Sequence, residues 1–146
     1  MILVLFLLLL LHSGQQAETC GKLRNFCDAY NQSSQVFLGT LEQIQERRGA
    51  YEYTFKIVRN YKGRQLHKIT LPSYKAGCGK GLVLEKGESY LIYALWLDDV
   101  SAIVGPRFGS STKRRQDAAC EIAMLNKVAG QKRLDTGRCP ICPPFK

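Results

Sequence analysis

Tyr51-Glu52-Tyr53-Thr54-Phe55-Lys56-Ile57 alternates a large apolar residue with a polar one at every step. Successive side chains of an extended backbone point to opposite faces, so Tyr51, Tyr53, Phe55 and Ile57 share one face and Glu52, Thr54 and Lys56 the other. This is a half-buried strand. Upstream, Val36-Phe-Leu-Gly-Thr-Leu41 is rich in strand formers, and Gly39 inside it marks a bulge or a close backbone approach. Glu46-Arg-Arg-Gly49 separates the two runs and reads as a hairpin loop. Downstream, Tyr61-Lys-Gly-Arg64 is a turn, and Gln65 to Leu71 is a further alternating strand that stops at Pro72. Tyr90-Leu-Ile-Tyr-Ala-Leu-Trp-Leu97 is continuously apolar, as expected of a strand crossing the core, with Asp98-Asp99 as its turn. Ala102-Ile-Val-Gly105 returns before Pro106. About five strands at regular spacing, with turn signals between them, predict a mainly β fold, a small barrel or a sandwich.

The period changes near the end. From about Arg115 to Val128, Ala119, Ile122, Ala123 and Val128 recur at helical spacing with no glycine or proline among them. Asp117 and Glu121 stand early, Lys127 late, and Gly130 just beyond, the order that the helix dipole and a C-terminal cap favour. Residues 131–146 read as a basic, turn-rich tail containing Cys139-Pro-Ile-Cys142 and Pro143-Pro144.

At the other end, residues 1–17 form an apolar run too short to span a bilayer, followed by small and polar residues ending in Ala17. The pattern is that of a secretory signal peptide, and it leaves residues 18–130 as one domain ahead of the tail. Six cysteines in an oxidising compartment imply up to three disulfides, whose pairing the spacing does not choose. All charged residues follow Ala17, so the formal charge of +9 belongs to the secreted part. Outside the cell such a charge favours sulfated glycosaminoglycans, acidic matrix proteins or anionic cell surfaces rather than nucleic acid, and a soluble protein with scattered lysines is an equally common alternative. No second apolar run suggests a membrane span.

Little in the chain suggests catalysis. His67 is the one histidine after the signal, on a strand between Leu66 and Lys68, and reads as a surface residue. No nucleophile-elbow or zinc-protease motif occurs. Cys139 and Cys142 lack a second ligand pair, so a structural disulfide fits them better than a zinc or redox site. Asn31-Gln32-Ser33 is a glycosylation sequon in a polar stretch. Lys113, Arg114 and Arg115, with Lys132 and Arg133, are candidates for binding polyanions; a processing site is an alternative for the first three, and a solvated helix start accounts for them equally.

Cys20 and Cys27 near a mature N-terminus, Val36-Phe-Leu-Gly-Thr-Leu41, Tyr61-Lys-Gly63, Ala76-Gly-Cys-Gly79, Glu88-Ser-Tyr-Leu-Ile92 and a late helix with Cys120 follow one another in an order that resembles the netrin module. Within that superfamily the chain looks most like the N-terminal domain of the tissue inhibitors of metalloproteinases, over roughly residues 20–125. The resemblance implies an OB-like five-stranded barrel with a C-terminal helix, and disulfides Cys20–Cys78 and Cys27–Cys120. It leaves Cys139 and Cys142 without a counterpart, open to a local disulfide, a link to another chain or a metal-thiolate pair. It also implies a non-enzymatic, cofactor-free secreted inhibitor of the extracellular space or matrix. Its protease-contact ridge would comprise Cys20, Gly21, Lys22 and Leu23 beside Ala76, Gly77 and Cys78. In such inhibitors the α-amine and carbonyl of the first cysteine chelate the protease's zinc, so the protein would hold no metal of its own. Lys22 stands where the family has a second cysteine, Gly21 brings no side chain to the specificity pocket, and Glu18-Thr19 precede Cys20 if cleavage follows Ala17. The alternative is a netrin module that binds matrix or glycosaminoglycan without inhibiting a protease.

Overall fold

The computed structural model describes residues 25–74, 83–96, 102–104 and 112–142. The chain runs α1 (Phe26–Gln32), β1 (Gln35–Arg47), β2 (Ala50–Lys62), β3 (Lys68–Tyr74), β4 (Ser89–Trp96), β5 (Ala102–Val104), β6 (Thr112–Arg114), α2 (Ala119–Val128) and a 3₁₀ turn (Thr136–Arg138). It is mainly β with one helix late in the chain. The sheet order is β3-β2-β1-β4-β5, every pairing among the described residues is antiparallel, and β6 also pairs with β4. The sheet curls until β3 and β5, at the two ends of that order, approach one another.

The alternation in β2 places side chains as expected. Tyr53 and Phe55 are buried with Phe37, Leu41, Ile69, Leu71, Tyr90, Ile92 and Ala94 inside the curl, and Tyr51 and Ile57 pack against them. Phe55 meets Phe37 and Tyr90 edge-on, the arrangement ring quadrupoles prefer. A second core lies on the outer face, where Val36, Leu38, Tyr61, Leu91 and Tyr93 pack against the helices. Strands β1 and β4 therefore bury both faces, which explains the unbroken apolar run of β4. The β1–β2 register shifts between Leu38 and Gly39. A Cβ on Gly39 would stand 3.0 Å from the Phe37 ring and 3.2 Å from the Lys56 carbonyl, so the glycine marks both the bulge and the close approach.

Three element boundaries differ from the sequence reading. The hairpin is longer, with strands paired out to Arg47 and Ala50 around Arg48-Gly49, because Gly49 supplies the positive φ that a two-residue turn needs. β3 continues through Pro72, opposite Glu52; as an end strand it can direct the position lacking an N–H away from the ladder. The polar stretch around the sequon contains the end of α1, which hydrophobic periodicity over seven residues did not reveal; Asn25 caps it by accepting from Asp28 N at 3.0 Å.

The helix α2 also presents a different face. Ala119 and Ala123 are exposed, whereas Ala118, Glu121 and Leu125 are buried and Ile122 and Val128 pack against them. Glu121 is tolerated inside because the Tyr93 hydroxyl donates to its carboxylate at 2.8 Å.

The disulfides correct the pairing that the resemblance implied. Cys27 is bonded to Cys139, not Cys120, and Cys120 is bonded to Cys142, so no local Cys139–Cys142 bridge forms. The cause is the path of the segment after α2, which is no loose appendage as far as Cys142. Leu134 is buried in the outer core, and the Asn31 side chain receives Leu134 N at 2.7 Å and donates to Leu134 O at 2.9 Å. This carries the chain back over α1, so Cys139 meets Cys27 and Cys142 reaches the first turn of α2. The Cys20–Cys78 pairing lies outside the described residues.

Peptide mapping without reduction should recover Cys27–Cys139 and Cys120–Cys142 peptides; a Cys27–Cys120 peptide would contradict the fold. Removing the first bridge as a Cys27→Ser/Cys139→Ser pair should cost about 4–5 kcal/mol, and the second about 3 kcal/mol, under the chain-entropy account. Burial raises the hydroxyl pKa of Tyr30, Tyr53, Tyr61 and Tyr93, and the Glu121 charge raises Tyr93 further. These groups stay protonated in the fold where the unfolded chain would ionise, so their stabilising contribution is full below about pH 10 and lost above it. Lys62, lowered by burial, opposes this as one group against four. An alkaline titration should therefore show tyrosinate absorbance and loss of structure rising together above pH 10.

Candidate functional site

The end of β2, the turn after it and the turn after α2 are tied into one corner. Lys62 Nζ donates to Tyr30 O at 2.6 Å, at the last turn of α1, where a cation complements the helix dipole. The Tyr30 hydroxyl donates to Gln131 O at 2.6 Å, and Gly130 N donates to Tyr61 O at 3.0 Å. Fully buried Gln35 holds the β2–β3 turn: its Oε1 accepts from Arg64 N at 2.8 Å, and its Nε2 donates to Arg64 O at 2.8 Å. Gly63 is required there twice over. Its φ is +91°, and a Cβ would run into Gln35 Oε1 and Ser34 O. The Arg64 guanidinium lies over the Trp96 ring, 4.1 Å from its centroid.

Between these turns opens a cleft of about 380 Å³, walled by Ser34, Asn60 and Lys62 on one side and Gly130, Gln131 and Lys132 on the other. No carboxylate occurs among the described residues that line it. Further cations stand close by. The Arg59 guanidinium is 5.6 Å from the Tyr61 ring centroid, and the charges of Arg59 and Arg115 both act on the Tyr61 hydroxyl, opposing the rise that burial causes. None of Arg59, Lys62, Arg115 and Lys132 is ion-paired with a described residue.

The five predicted polyanion contacts thus separate. Lys132 enters the cleft, while Arg115 faces Tyr61 and also lines, with Arg114, a groove of about 610 Å³ along α2. Arg114 is engaged with Glu85 at 2.7 Å. Lys113 lies in β6 opposite Leu91, and Arg133 is exposed. Arg59 and Lys62 were missed because neither belongs to a charge run; only the fold brings Lys62 to the cleft that Lys132 also lines and sets Arg59 against the Tyr61 ring.

The predicted ridge of Cys20, Gly21, Lys22, Leu23, Ala76, Gly77 and Cys78 lies outside the described residues. His67 is exposed and its carbonyl accepts from Ile57 N, a surface strand connection. Among the described residues no three His, Cys, Asp or Glu side chains gather to hold a metal, and no helix is long and apolar enough to cross a membrane. No family model matches the chain, and no curated protein matches it.

The Asn31 side chain, a glycosylation candidate in the sequence, spans α1 and Leu134 through both ends of its amide. Asn31→Ala should destabilise the fold by about 1–3 kcal/mol by orphaning two half-buried backbone groups, measured by denaturant unfolding.

Proposed function

We propose that the protein is a secreted, non-enzymatic module of the netrin type that holds to polyanionic chains of the extracellular matrix. The observation that carries this reading is the convergence of Arg59 and Lys62 of β2, Arg115 after β6 and Lys132 after α2, three separate segments, on the Tyr61 corner. A formal +9 charge adds long-range attraction, and release of counterions from a sulfated polysaccharide would drive association. Two disulfides favour an oxidising compartment. The strand order β3-β2-β1-β4-β5, with β3 approaching β5, supports an OB-like five-stranded barrel.

The same strand order favours a second reading, inhibition of a metalloproteinase through the Cys20 ridge, since it is the topology that the inhibitor resemblance implies. Zinc chelation in that reading requires a free amine on Cys20.

Two measurements separate the readings. The protein should bind immobilised heparin with an affinity that falls steeply and log-linearly with salt; passage through the column unretained at low salt would refute the first reading. Against a zinc metalloproteinase, a chain beginning at Glu18 should inhibit weakly and one beginning at Cys20 more tightly. Equal failure of both forms would dismiss the ridge.

A further inference from the structure

We infer that the cleft between Lys62 and Lys132 is a discrete subsite for one sulfate group of such a chain, and that the remaining cations only extend the contact from it. The inference rests on the polyanion reading and sharpens it from a charged surface to a located pocket. Three features of the cleft carry it.

The first is a preformed, half-open shape. A volume of about 380 Å³ between two turns is far larger than one sulfate requires and admits the sugar that bears it. Its walls are fixed, because Gly130 N is bonded to Tyr61 O and the Tyr30 hydroxyl to Gln131 O, so an entering anion need not order the turns. The second is the disposition of donors. Lys62 Nζ is anchored by the α1 carbonyls of Tyr30 and Asn31, at 2.6 and 3.4 Å, which spends two of its three N–H groups and leaves one. That ammonium is half-buried, and burial alone lowers its pKa, the position of a cation whose environment an anion would improve. Lys132 lines the same cleft from the turn after α2, and Ser34, Gln65 and Gln131 add neutral polar groups to the lining. The third is sign. The lining holds two lysines and no carboxylate-bearing residue among the described residues, whereas the groove along α2 includes Glu88 and has Arg114 committed to Glu85. An acidic ligand is repelled nowhere in the cleft. A sulfate, which stays ionised and accepts from several donors at once, fits this arrangement better than a single carboxylate.

The test compares Lys132→Glu with Lys127→Glu in the full secreted protein. Both variants change the net charge equally, but Lys127 is exposed on α2 and does not line the cleft. Thermal melts establish that both fold, and Lys132→Gln repeats the test without introducing a negative charge. Heparin is the probe, with hyaluronan, which has carboxylates and no sulfate, as the comparison. We expect Lys132→Glu to weaken heparin binding by at least about tenfold and Lys127→Glu by much less. Lys132→Gln should weaken it and flatten the salt dependence by about one ion. Hyaluronan should bind more weakly than heparin to the unaltered protein, and the two Lys132 variants should erase most of that difference. Equal losses from Lys132→Glu and Lys127→Glu, or no preference for heparin over hyaluronan, would overturn the subsite and leave general polyanion binding standing. Absence of heparin binding by the unaltered protein would overturn both.

Discussion

Burial of β1 on both faces is the constraint from which the rest of the structure follows. Phe37 and Leu41 enter the inside of the curled sheet while Val36 and Leu38 face outward, and the register shift at Gly39 lets the strand bend between these duties. A sheet whose outer face is apolar must be covered. Seven residues of α1 and ten of α2 provide the cover, and helices so short do not hold themselves in place. The segment after α2 does this by crossing α1 through Asn31 and Leu134 and then joining each helix by a disulfide. Covalent links suit a chain of this size, whose cores are modest.

The strands were legible because their signal is local. Period-two alternation in β2 and the apolar run in β4 each report their own burial, and Gly39 announced the bulge. What escaped depended on contacts across the chain. Residue periodicity assigned Ala119 and Ala123 to the buried face of α2, since nothing near Glu121 in sequence predicts that Tyr93 will receive it inside. The disulfides escaped for a related reason. Cys139 and Cys142 sit three residues apart and suggest a local pair, yet the path set by Leu134 sends them to different helices.

Charge followed the same rule. The run Lys113-Arg114-Arg115 drew attention as a run, but Arg114 is engaged by Glu85 and only Arg115 joins the Tyr61 corner. Arg59 and Lys62 belong to no charge run, and Lys62 drew notice only as part of the turn Tyr61-Lys-Gly-Arg64. Their significance comes from the turn that Gly63 and Gln35 fix and from the opposing turn at Gly130, which sets Lys132 across from Lys62. The site is thus a product of the outer core: the same docking of α1 and α2 that protects Val36 and Leu38 creates the cleft between their ends.

The most direct measurement is an amide shift map of the isotope-labelled protein titrated with a sulfated heparin hexasaccharide. Binding at the corner predicts the largest shifts at residues 59–65 and 130–133, with smaller ones near Arg115. Shifts confined to the hairpin tip around Arg48 and Gly49, or spread evenly over every surface lysine and arginine, would contradict it.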